Sequence, residues 1–309
     1  MAKRCVVTGG AGFVGSHLAD ALVERGDEVI IVDNLVGPKG RTHNIDHLLV
    51  HPRVEFADMD ILDWATPERL AGVDTVFHEA ASKNTVSIDD PERDLEVNAL
   101  GTLRLLLACV KADVRKFVHG STGSVFGELD LRQDENHRTR PRSFYGVSKL
   151  AGESYCRVVS EMYGLDTTVL RYYHVIGSRQ DDSDNGGVVP IFIRRCEERK
   201  PVIIHGTGEQ VRSFTSVGDV VAANLLVADD ARAFGEFYNC ASAIQVSIRE
   251  LADFVIEEMG SGVEIEYDEW RPGDILQFDI DNSKIRSIGA TYTTDWKSVV
   301  RDVIASRDA

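Results

Sequence analysis

The chain has 309 residues, 43% of them hydrophobic, enough for one large α/β domain or for a domain with an appended lobe. Against 34 basic residues stand 50 acidic ones, and the net charge of −16 argues against general binding to nucleic acid or anionic membranes. It leaves room for a local basic pocket that takes a phosphorylated ligand. The five cysteines, Cys5, Cys109, Cys156, Cys196 and Cys240, are odd in number and lack metal-finger spacing. Reduced thiols, a cytoplasmic setting and no metal site are therefore expected. A strand begins near Lys3, leaving no room for a signal peptide. No apolar run approaches the ~20 residues that span a bilayer.

Arg4–Thr8 reads as a buried parallel strand. The run Gly9-Gly-Ala-Gly12-Phe-Val-Gly15 follows, then a helical pattern to about Glu24. Such a turn lets backbone N–H groups and a helix N-terminus approach a pyrophosphate. The second strand, Glu28–Asp33, ends on an acid suited to ribose hydroxyls and repellent to a 2′-phosphate, which favours NAD over NADP. Val54–Phe56 is a third strand, and Thr66-Pro67-Glu68 reads as a helix start. Asp74–His78 is a fourth strand, followed by Glu79-Ala80-Ala81-Ser82-Lys83, whose small residues permit close approach of a cofactor. A long helix is expected over Pro91–Ala112, with strands at Lys116–Gly120 and Asp166–Arg171. The alternation predicts a Rossmann-like, doubly wound parallel sheet, with ligands at the carboxyl ends of its strands.

Between the last two strands lies Ser143-Phe-Tyr-Gly-Val-Ser-Lys149, at the start of a helix that runs to about Tyr163. Tyr145 and Lys149 then sit one turn apart on one face. An ammonium beside a phenol favours the phenolate, so the Tyr145 pKa should fall. From about Ser178 the rhythm becomes irregular. Helices are expected at Gly186–Arg199, at Val220–Ala228 and from Ser247, where Glu250 completes a capping box. Arg212 and Arg271 are candidates for holding a diphosphate, because the guanidinium fork suits phosphate oxygens. Residues 1–177 are expected to form the NAD-binding domain. Residues 178–309 would form a smaller C-terminal substrate-binding lobe, with about 207–230 returning to the main domain.

Taken together, these motifs resemble the extended short-chain dehydrogenase/reductases, specifically the nucleotide-sugar epimerases and dehydratases, most like the UDP-glucose 4-epimerases. The matching landmarks are Thr8–Gly15, Asp33-Asn34, Asp60-Ile61, His78–Ala81, Asn98 with Gly101-Thr102, Ser121-Thr122 before Val125–Gly127, Tyr145 with Lys149, Gln210–Arg212 and Arg271–Asp274. The resemblance implies that Tyr145 is the base that removes a sugar hydroxyl proton. Lys149 would lower its pKa and bond the nicotinamide ribose, while Thr122 holds the reacting oxygen. Gly9, Gly12, Phe13, Val14 and Gly15 would line the pyrophosphate, and Asp33 and Asn34 the adenosine ribose. Asp60 and Ile61 would border the adenine, with Ala80, Ala81, Lys83 and Asn98 completing the NAD site. Lys83, Ser124, His174, Val188, Val189, Arg212, Arg271, Asp274 and Phe278 would contact the substrate along with Thr122 and Tyr145.

The dehydratases of this family carry an acid pair after the threonine, and the decarboxylases a glutamate at the position of Ser124. Here Gly123 and Ser124 stand there. The residues left suffice for 4-epimerisation with NAD regenerated every turnover. UDP-glucose and UDP-galactose are the first expectation, and the bulk of Phe278 disfavours N-acetylated sugars. The alternatives are another sugar nucleotide (UDP-glucuronate or UDP-N-acetylglucosamine), a 4,6-dehydratase, or a non-catalytic NAD-binding regulator. Two departures stand out: His174 replaces the usual asparagine, and Phe126 a common tyrosine. The resemblance also implies a homodimer, built from the helices around Pro91–Ala112 and Ser143–Tyr163.

Overall fold

The computed structural model describes residues 2–36, 42–82, 84–127, 132–184, 186–270, 276–277 and 279–307. In chain order the first half runs β1 (Arg4–Thr8), α1 (Phe13–Arg25), β2 (Glu28–Asp33), β3 (Val54–Asp58), α2 (Ile61–Trp64), β4 (Thr75–His78), α3 (Asn84–Asp89), α4 (Pro91–Leu95), α5 (Thr102–Lys111), β5 (Lys116–Thr122), α6 (Phe144–Tyr163) and β6 (Asp166–Tyr172). The second half runs β7 (Val175–Ile176), α7 (Val188–Glu197), β8 (Val202–His205), β9 (Val211–Arg212), β10 (Thr215–Ser216), α8 (Val217–Asp229), β11 (Phe237–Cys240), β12 (Val246–Ser247), α9 (Ile248–Glu258), β13 (Ile265–Asp268), α10 (Ser283–Ser287) and α11 (Trp296–Ala305).

Seven parallel strands form the central sheet in the order β11-β6-β5-β4-β1-β2-β3. The order reverses between β1 and β4, which places a ligand crevice at their carboxyl ends. Alternate residues of one strand feed opposite faces: Cys5 and Val7 pack with α1 and α8, while Val6 packs with α2, α5 and α6. Both faces are covered, so the strands read as continuous apolar runs. A second core, around Val189, Ile193, Val202, Leu251, Val255 and Val300, belongs to the helices α7, α9 and α11. The seventh strand, β11, pairs Phe237–Cys240 with Val169–Tyr172 and was not singled out from sequence. Its Tyr-Asn pair interrupts the apolar run that betrays the other strands.

Two local expectations need correction. Thr66-Pro67-Glu68 opens no helix; the chain turns through Pro67–Gly72 and enters β4. Only a few residues separate Thr66 from the strand, and Gly72 at φ 74° reverses the chain before a helix can propagate. Within the helix expected over Pro91–Ala112, Glu96–Gly101 is wound as a π-helix between α4 and α5. The Thr102 hydroxyl donates to the Asn98 carbonyl at 2.7 Å and also meets His78 Nε2 at 2.8 Å. The wide turn thus places Thr102 against the sheet, as such bulges do beside functional sites.

A buried ion pair locks α6 to the sheet. Arg171 Nε and Nη2 donate to the two carboxylate oxygens of Glu153 at 2.9 and 2.8 Å, and Ser121 Oγ adds a bond of 2.7 Å. The guanidinium lies 4.6 Å from the centre of the Phe126 ring, a contact that uses the ring face and needs no phenolic oxygen. Replacing Arg171 with Met should leave the Glu153 carboxylate buried and unpaired. Equilibrium denaturation should show a loss of about 3–5 kcal/mol.

Candidate active site

Gly9 stands at φ 65°, a conformation that suits glycine. A Cβ there would lie 2.7 Å from the Ala80 nitrogen, and a Cβ on Gly15 would lie 2.2 Å from the Gly9 carbonyl oxygen. These glycines therefore permit the turn, α1 and the end of β4 to approach closely. Gly12 caps α1 with no side-chain bond, and the first turn carries no acid. The N–H groups of Phe13, Val14 and Gly15 thus open the positive end of a 13-residue helix toward the crevice. Asp33, at the end of β2, accepts from Ala11 N at 3.1 Å and Leu35 N at 2.9 Å. Asn34 Nδ2 donates to Asp60 at 2.8 Å; Asp60 also caps α2 through Leu62 N and pairs with Arg93. Ile61 lies buried beneath this cluster. The donor-lined glycine turn with a ribose-ready carboxylate at its edge fits a dinucleotide.

Ala80 and Ala81 follow β4, with Ala80 N within 3.3 Å of Thr8 Oγ1. Asn98 is fully buried; its Oδ1 accepts from Ser82 N at 2.9 Å, and its Nδ2 meets Asp94 at 2.8 Å and Ser148 at 3.1 Å. Its amide is committed to protein partners, so it shapes the Ser82 loop from behind.

On the next strand end, Thr122 bonds the hydroxyl of Tyr145. Ser124 N–H donates back to Thr122 Oγ1 at 3.1 Å. Ser143 caps α6 by accepting from Gly146 N at 3.0 Å, which fixes the turn that bears Tyr145. Lys149, one turn on, is buried and donates to the Gly120 carbonyl at 2.6 Å. The expected fall in the Tyr145 pKa is not what the protein side chains produce. Burial pushes the phenol up to about 12, Asp94 and Glu79 push the same way, and only the Thr122 bond opposes them. The Lys149 ammonium is turned toward Gly120, so its partner groups are a carbonyl and nearby carboxylates. Burial holds Lys149 below an ordinary lysine, against Glu79 and Glu153.

Across the crevice, His174 takes φ 38°, in the left-handed region where asparagine and histidine are both enriched. That shared tolerance explains how one replaces the other. Burial and the adjacent Arg212 push its pKa down to about 3, so the imidazole is neutral. Arg212 lies on β9, almost wholly buried, with Nη1 on the Val211 carbonyl at 3.0 Å. Val188 and Val189 open α7; the Val189 side chain is fully inside the second core, which leaves its backbone for any ligand. Lys83, Arg271, Asp274 and Phe278 lie outside the described residues.

Sequence reading missed Glu79, whose carboxylate accepts from Tyr172 Oη at 2.8 Å, and the buried Asp94, whose charge acts on Tyr145. Glu79 directly follows an apolar strand and Asp94 lies in the short helix α4, and no local pattern marks either carboxylate as turned inward.

Residues 5–241 match the NAD dependent epimerase/dehydratase family. The chain belongs to that family. It is 34% identical over 290 residues to the UDP-glucose 4-epimerase of Mycolicibacterium smegmatis, covering 92% of each chain. The structure of the UDP-N-acetylglucosamine 4-epimerase of Methanobrevibacter ruminantium, in complex with UDP-N-acetylmuramic acid, matches with a TM-score of 0.94 at 31% identity, over 99% of this chain and 98% of that one. The UDP-glucuronic acid 4-epimerase of Bacillus cereus, solved with UDP-glucuronic acid and NAD, matches with a TM-score of 0.93 at 30% identity, over 99% of both chains.

Because the Gly15 contact is with backbone, a methyl group there has nowhere to go. Gly15→Ala should yield protein that releases little or no NAD on denaturation, whereas the parent releases it in near-stoichiometric amount.

Proposed function

We propose that this epimerase inverts carbon 4 of a UDP-sugar, with UDP-glucose and UDP-galactose as the substrate pair. The observation that carries the reading is the Thr122–Tyr145–Lys149 set beside a position that admits no side chain. A Cβ on Gly123 would lie 2.1 Å from the Tyr173 ring. Tyr173 is buried and donates its hydroxyl to Asn239 at 3.1 Å, so the ring is not free to swing away. No carboxylate fits where a dehydratase needs one, and Ser124 supplies none where a decarboxylase does. This supports a reaction that returns to the alcohol without elimination or loss of carbon dioxide.

Bound NAD would supply a reversible hydride acceptor, and its cationic ring would favour the Tyr145 phenolate that burial, Asp94 and Glu79 oppose. Tyr145 Oη would take the proton of the sugar 4-hydroxyl as the carbon 4 hydrogen leaves with its electron pair. Thr122 Oγ1, already bonded to that phenol, would hold the same oxygen in place. Lys149 would keep the local charge positive while the phenol gains and gives back its proton. After the 4-keto sugar turns over, Tyr145 would return the proton to the carbonyl oxygen as the hydrogen comes back with its electron pair to the opposite face of carbon 4. Asp33, Asn34, Asp60, Ile61, Ala80 and Ala81 would wall the cofactor, and Ser124, His174 and Arg212 the sugar nucleotide. A neutral His174 beside Arg212 gives that side of the crevice a donor for phosphate or sugar oxygens.

The helices α4–α6 carry a face of exposed apolar side chains: Leu95, Leu107, Val147, Val158 and Met162, with Met162 67% exposed. Exposed apolar side chains on these helices support a homodimer that buries them in an isologous four-helix contact.

Proton NMR of UDP-glucose with as-purified protein and no added NAD should show UDP-galactose rising to a fixed ratio. If UDP-glucose is unchanged while UDP-glucuronate or UDP-N-acetylglucosamine is converted, the substrate reading is wrong and the reaction stands. Tyr145→Phe should lower kcat by about 10²–10⁴-fold with NAD still bound. Light scattering should find the Leu107→Glu, Met162→Glu double variant monomeric where the parent is dimeric.

A further inference from the structure

Beneath the proposed catalytic pair lies a second layer of polar groups with no assigned task. Glu79 leaves β4 at its carboxyl end, and its Oε2 occupies the space where a side chain on Gly120 would begin, 2.5 Å from an ideal Cβ. The Tyr172 ring closes the same space at 2.9 Å, so Gly120 in the middle of β5 is the residue that lets the carboxylate in. Tyr172 Oη donates to Glu79 Oε1 at 2.8 Å and accepts from Asn224 Nδ2, also at 2.8 Å. Asn224 is anchored in turn on the Val220 carbonyl of α8 at 2.9 Å. The other side of Gly120 is its carbonyl, which takes the Lys149 ammonium. A clamped carboxylate and the ammonium therefore meet on one glycine.

We infer that Glu79 is a positioning residue for the Tyr145–Lys149 pair: its carboxylate, clamped by Tyr172 and Asn224 against Gly120, keeps the Lys149 side chain protonated and fixed. The inference rests on the roles proposed above for that pair. Several groups face this centre. Lys149, Glu153 and Cys156 come from α6, Asp94 from α4, Tyr172 from β6 and Cys240 from β11, with His78 and His119 from β4 and β5. Burial, with Lys149 adding to it, keeps both imidazoles neutral, and burial keeps both thiols protonated. Glu153 is committed to Arg171, and Asp94 to Asn98 and Ser148. Glu153 thus has its own cation, whereas Glu79 and Asp94 have none among the described residues, and of these two Glu79 acts more strongly on Lys149 and is the one held against the glycine whose carbonyl takes the ammonium. Burial raises its pKa, opposed by the Tyr172 bond and Lys149, which places its ionisation nearer neutrality than an ordinary glutamate.

The sign of the effect follows. An ionised Glu79 makes Lys149 hold its proton to higher pH; without that charge, burial wins and Lys149 loses the proton at lower pH. Glu79→Gln keeps an oxygen for Tyr172 and removes only the charge. Tyr172→Phe keeps the carboxylate but makes it harder to ionise, so it should act in the same direction and less strongly. The direct measurement is the 15N shift of Lys149 Nζ against pH in the holoprotein, assigned with Lys149→Arg. Its midpoint should fall by about one pH unit or more in Glu79→Gln, a tenfold change in the acid constant, and by less in Tyr172→Phe. The alkaline limb of kcat should move down with it while KM is unchanged. An unmoved midpoint in both variants overturns the proposal, as does a rise. If Glu79→Gln does not fold, Tyr172→Phe decides alone. A shifted midpoint in a protein that converts no UDP-glucose would sink the substrate reading and leave this inference standing.

Discussion

An ammonium withdrawn from water at the ends of the central strands governs the chemistry around it. Burying Lys149 costs several kcal/mol unless oxygens and counter-charge surround it. The Gly120 carbonyl supplies the first and the carboxylates of Glu79, Glu153 and Asp94 the second. Each of these has its own requirement. Gly120 must lack a side chain so that Glu79 and Tyr172 can enter, and Glu153 must be neutralised by Arg171. Asp94 needs the amide of Asn98, which the π-helical turn carries beside the Ser82 loop. The oddities of the fold's middle, a glycine inside a strand and a π-helix inside a helix, are both met on the way to one buried charge.

The same residues create the opposition that a phenolic base must overcome. Carboxylates that sustain an ammonium also resist a phenolate, and here they lie within reach of Tyr145. The protein alone therefore stores the phenol in its neutral form. A cation brought into the crevice would act in the opposite sense and favour the phenolate.

Sequence reading recovered the parts of the molecule that follow from local rules. The apolar strands, the glycine turn, the Ser247–Glu250 capping box and the placement of Tyr145 and Lys149 on one helix face all depend on neighbours in the chain. It failed where distant groups decide. The pKa of Tyr145 depends first on its burial and then on the charges of Asp94 and Glu79, which lie 51 and 66 positions away in sequence but act on it through the fold. The seventh strand has polar residues at Asn239 because its amide bonds the Gln133 and Asp281 carbonyls, a demand invisible to periodicity. The π segment likewise needs the partners of Asn98 and Thr102. Glu79 was in plain view within a recognised landmark, yet nothing local separates a carboxylate that faces water from one that faces a lysine.

The crowding of Gly123 by Tyr173 bears on how such enzymes diverge. A lineage that acquired an acid at position 123 first would place its side chain inside an aromatic ring and lose the fold of the strand end. The ring would have to shrink beforehand, and a smaller residue at 173 leaves a hole beside Phe126 and Val125 and frees the Asn239 amide that it now engages. Both orders pass through a damaged intermediate. The step to an elimination chemistry is thus guarded by sterics: the acid pair at 123 and 124 and a smaller residue at 173 make three coordinated substitutions, which single-step mutational libraries will not reach together.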